Sequence, residues 1–145
     1  MFKKIMAMVF GVAVFFVFAS FSVSANGGEF RENGNTSKLS YIYSTNTQLG
    51  ISSSGTATCY GSITGYQGTT TKVEIYLYLQ QYKNGAWSTV SGGSWYTSSP
   101  SYKCTLQKTK SGLATGYQYR TKAAYYAWSG SNSESITAYS KTVTY

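Results

Sequence analysis

The side chains able to do chemistry are few and lopsided. The chain has 145 residues with no His and no Asp, only four carboxylate side chains (Glu29, Glu32, Glu74 and Glu134), and two cysteines, Cys59 and Cys104. Without imidazole, no Ser–His or Cys–His dyad can be built, and no His/carboxylate metal site either. A glycosidase needs two carboxylates facing each other at a fixed separation. Glu29 and Glu32 sit in a polar stretch near the N-terminus, while Glu74 and Glu134 fall on different strands, where Arg120 or Lys122 are the expected partners. There is no CxxC pair and no Walker or dinucleotide glycine motif. The expectation is a protein that is not an enzyme and uses no metal or cofactor. What remains is rings and cations: 15 Tyr, 3 Trp and 12 Lys plus Arg, for a formal charge of +8. Such an excess attracts anionic partners such as wall polymers, membrane surfaces or nucleic acid, and it also serves plain solubility.

Residues 1–25 have the three parts of an export signal. Lys3 and Lys4 form a positive start, 5–18 is a nearly unbroken apolar run, and Val23-Ser24-Ala25 places small residues where a signal peptidase reads. Cleavage is expected after Ala25. An uncleaved anchor is the alternative, and Ser20, Ser22 and Ser24 weigh against it. With the leader removed, ten cations face four carboxylates, a net charge of +6. The product is expected to be secreted, with no membrane span after cleavage and no nucleic-acid partner. Residues 26–38 are rich in Gly and Asn and read as a flexible arm.

The elements that must position the rings are strands. Residues 71–90 read TKVEIYLYLQQYKNGAWSTV. Val73, Ile75, Leu77 and Leu79 alternate with Lys72, Glu74, Tyr76, Tyr78 and Gln80, a period of two. Asn84-Gly85 is the pair best suited to positive φ at both centres of a type I′ turn. A two-residue loop there sets Lys83 against Ala86, Tyr82 against Trp87 and Leu79 against Val90. Upstream, 39–44 reads as a first strand, Ile51 as part of a connection, and 55–66 as a second strand with Ala57, Cys59, Gly61 and Ile63 on one side. Downstream, 91–99 reads as a Gly/Ser-rich loop carrying Trp95 and Tyr96. Tyr102, Cys104 and Leu106 share one side of a further strand. Residues 117–128 form a long strand, with Arg120, Lys122, Tyr126 and Trp128 opposite Tyr117, Tyr119, Thr121, Ala123 and Tyr125. In 134–145 the parity changes between Ile136/Ala138 and Val143, which requires a bulge near Ser140. About seven short strands with turns between them predict an all-β antiparallel sandwich over 39–145.

Two resemblances follow. Residues 113–123, LATGYQYRTKA, resemble the approach to strand F of fibronectin type III and immunoglobulin-like domains. Thr115-Gly116-Tyr117 matches the step that carries the tyrosine corner, and the 78–90 hairpin, YLQQYKNGAWSTV, is similar to the C–C′ hairpin of that family. In addition, GTATCYGSITGYQGTTTKVEIYLYLQQYKNGAWSTV and YRTKAAYYAWSGSNSESITAYSKTVTY resemble an uncharacterised family of small secreted proteins from Gram-positive, clostridial-type bacteria. That likeness implies export and size but no mechanism.

The fibronectin likeness implies that strands C, F and G share a sheet. Tyr76, Tyr78, Tyr82, Trp87, Arg120, Lys122, Tyr126 and Trp128 then form one aromatic and basic outer face. Flat rings suit stacking on sugars, and cations suit an anionic glycan. The same rings also stabilise a sheet with no ligand present. The likeness also makes the strands of Cys59 and Cys104 neighbours, so a disulfide is expected. Closing that loop would stabilise the fold by about 4 kcal/mol, and two buried thiols are the alternative. The functional expectation is a secreted binding module for envelope glycan or anionic wall polymer. An extracellular protein-interaction or adhesion module, and a small cationic effector, are the alternatives.

Overall fold

The computed structural model describes residues 39–145. The expected signal peptide, its cleavage after Ala25, and the 26–38 arm lie outside the described residues. Eight strands follow in chain order: β1 Ile42–Ile51, β2 Ala57–Gly65, β3 Lys72–Lys83, β4 Ala86–Ser99, β5 Lys103–Lys110, β6 Gln118–Ser129, β7 Asn132–Tyr139 and β8 Val143–Thr144. They form two antiparallel sheets. One has the order β1-β2-β5. The other has the order β4-β3-β6-β7, with β8 also on β6. The first, second and fifth strands thus face the remainder, the order expected of a fibronectin-like sandwich.

Strand parity makes the core. Val73, Ile75, Leu77 and Leu79 of β3 and Tyr119, Ala123, Tyr125 and Ala127 of β6 are buried against Ala57, Cys59 and Ile63 of β2. Asn84 (φ 53°) and Gly85 (φ 77°) form the β3–β4 turn, and Lys83–Ala86 and Tyr82–Trp87 pair as their types demand. Tyrosine supplements the sparse aliphatics. The Tyr125 hydroxyl crosses between the sheets, donates to the Asn46 carbonyl at 2.7 Å and meets Thr47 Oγ1 at 2.7 Å. Both ends of this long side chain are therefore satisfied, the ring by apolar contacts and the hydroxyl by hydrogen bonds.

Several expectations shift. The first strand starts later and runs further than 39–44, so Ile51 lies on a strand. Its inner face is Thr45, Thr47, Leu49 and Ile51, directly across from β2. The two threonines at inward positions of an edge strand blur the apolar alternation that the sequence reading relied on. Residues 91–99 are not a loop. Gln80 pairs with Thr89 and Tyr78 with Ser94, so two steps on β3 span five on β4. The surplus is a bulge around Val90–Gly93, and Leu79 consequently has no partner on β4, although it pairs with Thr121 on β6; Val90 still leans on the core. Gly92 has φ 71°, and a Cβ on Gly93 would lie 3.0 Å from the Val90 carbonyl oxygen and 3.1 Å from Leu79 Cβ. Beyond the bulge, Trp95 sits across from Leu77 and Tyr96 across from Tyr76. The parity change near Ser140 is present. Tyr139 pairs with Lys122 and Val143 with Tyr119, one extra residue between them. Ser140 fills the gap, its N–H donating to the Thr121 carbonyl and its Oγ accepting from the Thr121 N–H, both at 2.9 Å.

The tyrosine corner is Tyr119, not Tyr117. Tyr119 Oη donates to the Ala114 carbonyl at 2.8 Å and accepts from Gln81 Nε2 at 2.9 Å. Tyr117 is only half-buried; its ring lies under Lys83 Nζ at 5.7 Å.

The expected disulfide is absent: Cys59 and Cys104 are free thiols. Their strands are neighbours and both side chains face inward, but the register separates them. Cys59 lies across from Lys108, and Cys104 across from Ile63. Four positions of offset, at about 3.4 Å each, is far beyond the reach of an S–S bond.

Candidate functional site

The two outer faces differ in kind. On the three-strand sheet, the outward positions are Ser44, Asn46, Gln48, Thr58, Tyr60, Ser62, Thr64, Lys103, Thr105, Gln107 and Thr109, and exposed Tyr43 stands at the β1 irregularity: mostly hydroxyls and amides, with two rings and one cation. On the five-strand sheet, the outward positions carry rings and cations. The odd number of extra residues in the β4 bulge is what places Trp87 and Tyr96 on the same side, since strict alternation would put them on opposite faces.

Four groupings lie along this face. At one end, Lys72 pairs with Glu74 and sits 5.2 Å from the centroid of the Trp128 ring. Hydrogen bonding to the Glu74 carboxylate holds the Lys72 amine above its ordinary pKa. Next, Tyr76 packs on Tyr96 (4.6 Å between centroids) and edge-on to Tyr126 (5.7 Å). Loss of solvent around Tyr76, followed by the Glu74 charge, raises its phenol pKa. Then Lys122 Nζ lies 5.9 Å from the Tyr78 ring. At the hairpin end, Tyr82 tilts against Trp87 at 5.2 Å. The Arg120 guanidinium lies 4.2 Å from the Trp87 ring and 4.1 Å from the Tyr139 ring, and its Nε donates to Gln80 Oε1 at 2.9 Å.

All eight platform residues read from the sequence therefore share one face, and the structure divides them between its ends. Trp128 and Tyr126 are remote from Arg120 and Trp87. Two exposed rings were missed. Tyr139 is 45% exposed, and its place next to inward Ala138 already signalled it. Tyr96 is 51% exposed, and the bulge hid it. Tyr82, at 40%, completes the exposed set here.

The carboxylates do not pair with Arg120 or Lys122. Glu74 takes Lys72, its closest neighbour on the same strand face. Glu134, on β7, reaches the start of β1: Oε2 accepts from the Ser40 N–H at 2.9 Å, and Oε1 accepts from the Tyr41 and Ile42 N–H groups at 2.5 Å each. Three backbone donors at a strand start hold this carboxylate more cheaply than a mobile ammonium would. Among the described residues, Lys72–Glu74 is the one side-chain ion pair, so the other cations have no carboxylate partner.

Comparison with protein-family profiles, curated proteins and solved structures returns no match.

Proposed function

We propose that this protein is a secreted, non-catalytic binding module that holds an envelope glycan or anionic wall polymer on the outer face of its five-strand sheet. One observation carries the reading. Exposed Tyr82, Tyr96 and Tyr139 share one sheet face with two cations, Arg120 and Lys122, while the opposite sheet presents mainly hydroxyls and amides, with Tyr43, Tyr60 and Lys103 among them. Rings fixed on a rigid sheet offer contact area with little side-chain entropy to lose, and their hydroxyls supply adaptable hydrogen bonds. Arg120 and Lys122, with no carboxylate partner among the described residues, add attraction for acidic polymers.

A second reading is an extracellular protein-interaction module. It draws on β5, which ends its sheet and has one unpaired edge. Lys103, Lys108 and Lys110 on that edge oppose indiscriminate strand addition.

The test uses Tyr96→Ser and Tyr139→Ser, single and combined, on edge strands where trimming a ring leaves the core intact. Binding to purified peptidoglycan and wall polymer is followed by sedimentation at rising salt, with the thermal midpoint as a fold control. Loss of binding with an unchanged midpoint supports the face. Unchanged binding by the folded double variant rejects it, and sugar-insensitive capture of a protein favours the second reading.

A further inference from the structure

The hairpin end of the aromatic face contains one side chain held unlike any other. The Arg120 guanidinium carbon lies over two rings, 4.2 Å from the centroid of Trp87 and 4.1 Å from that of Tyr139. Its Nε is committed to Gln80, itself 9% exposed. Among the described residues the terminal nitrogens, Nη1 and Nη2, have no hydrogen-bond partner, and neither is sealed from solvent. The two rings and Gln80 restrict the group. The edge left without a partner is that of Nη1 and Nη2, a pair of donors whose fork fits a carboxylate. Lys122, two residues along on the same face, adds a second cation, and no carboxylate of the described residues neutralises either one.

An arginine held over two rings and hydrogen-bonded through Nε has already lost much of its rotamer freedom, so less ordering cost remains when its Nη groups engage a ligand. The neighbouring exposed rings select what carries the acid. The flat faces of Tyr82 and Tyr139 suit the C–H face of a pyranose ring, which a sugar has and a linear polyol phosphate lacks.

We infer that Arg120 is the specificity-determining residue of this face, and that it reads the carboxylate of an acidic sugar, of the uronic-acid type, while Tyr82 and Tyr139 stack on the sugar ring. The inference rests on the proposed glycan-binding reading and deepens it.

Three probes are titrated into the protein with Trp fluorescence and calorimetry as readouts: polygalacturonate, poly(glycerol phosphate) and a neutral β-linked hexasaccharide. Arg120→Lys retains the charge and removes the fork. The parent is expected to prefer polygalacturonate in a salt-sensitive way, and Arg120→Lys is expected to lose roughly 10- to 100-fold on that probe while its neutral-sugar binding holds, the loss of a bidentate charge-assisted contact. If folded Arg120→Lys binds polygalacturonate within about twofold of the parent, Arg120 is sheet cover only and the inference fails with the glycan reading intact. A preference for the neutral sugar or for poly(glycerol phosphate) also overturns the carboxylate assignment. Absence of binding to all three overturns the glycan reading itself. Should Arg120→Lys not fold, the parent still decides. Arg31 and Arg120 are the only arginines, so the guanidinium N–H signals can be assigned with Arg31→Lys. Protection of the Arg120 Nη protons by polygalacturonate supports the inference, and unmoved signals refute it.

Discussion

The Tyr125 hydroxyl ends against the bare backbone of Gly61, on the opposite sheet. A Cβ at position 61 would lie 3.0 Å from that oxygen and 2.8 Å from Leu77 Cδ2. The glycine is what lets a tyrosine span the sandwich. Gly61→Ala is expected to cost about 1–3 kcal/mol by overpacking, read as a lower urea midpoint. The double variant Gly61→Ala/Tyr125→Phe should recover part of that loss, because the clashing oxygen is gone. Full additivity of the two changes would mean that the approach does not set the cost.

Burial, opposed by the hydrogen bond with Thr47, pushes the Tyr125 phenol up to about 12. In the unfolded chain it ionises near its ordinary value of about 10. Between those values the unfolded chain releases a proton that the folded one keeps. The stabilisation is therefore complete below about pH 10 and falls as pH rises through the window, by on the order of 2–3 kcal/mol. Denaturation followed from pH 9 to 12 should show that fall in the parent, and a shallower one in Tyr125→Phe.

Glu134 ties β7 of one sheet to the start of β1 in the other through three backbone N–H groups. Glu134→Gln replaces one accepting oxygen by an amide that donates toward those same donors. The expected loss is about 1.5–3 kcal/mol, the worth of hydrogen bonds to a charged group. Amide exchange at residues 40–42 should accelerate, while the β3–β6 amides keep their relative protection. Unchanged exchange at 40–42 would show that the clamp contributes little.

The register between β2 and β5 keeps Cys59 and Cys104 apart, and burial raises the Cys59 thiol pKa. Two thiols should titrate in denaturant without reductant. In the native protein Cys59 should react more slowly than half-buried Cys104. The thermal midpoint should be the same with and without reductant. An intramolecularly oxidised chain, seen by mass, would mean a different β2–β5 pairing.

The parts of this fold that could be read from the sequence are those where the two faces of a strand differ sharply. Val73 to Leu79 and Tyr119 to Ala127 are aliphatic or aromatic inward and polar, ring-bearing or cationic outward, so parity alone assigned their faces. The hairpin followed because Asn84-Gly85 admits one turn geometry. The extra residue near Ser140 was legible because Ile136 and Val143 cannot both face inward without it. Legibility failed where inward positions are hydroxyls, as at Thr45 and Thr47, and where glycine and serine hide a bulge, as at 90–93. Tyr117, just ahead of β6, and Tyr119 within it share one side by parity, and only the position of the Ala114 carbonyl selects the second as the corner. The cysteines shared a sheet and a side as expected, yet their offset is a property of strand pairing that no single strand encodes.

The irregularity at Val90–Gly93 gives β4 a joint. Ala86–Thr89 answers to the turn, and Ser94–Ser99 answers to the far half of β3. Chain length at the joint is consequently counted in twos. Gaining or losing a pair of residues leaves Trp87 and Tyr96 on their present side and Trp95 inside. A single insertion would turn one half over, exposing an indole and hiding a phenol. Natural variants of this chain, or deliberate grafts at 91–92, should accordingly tolerate even length changes and reject odd ones.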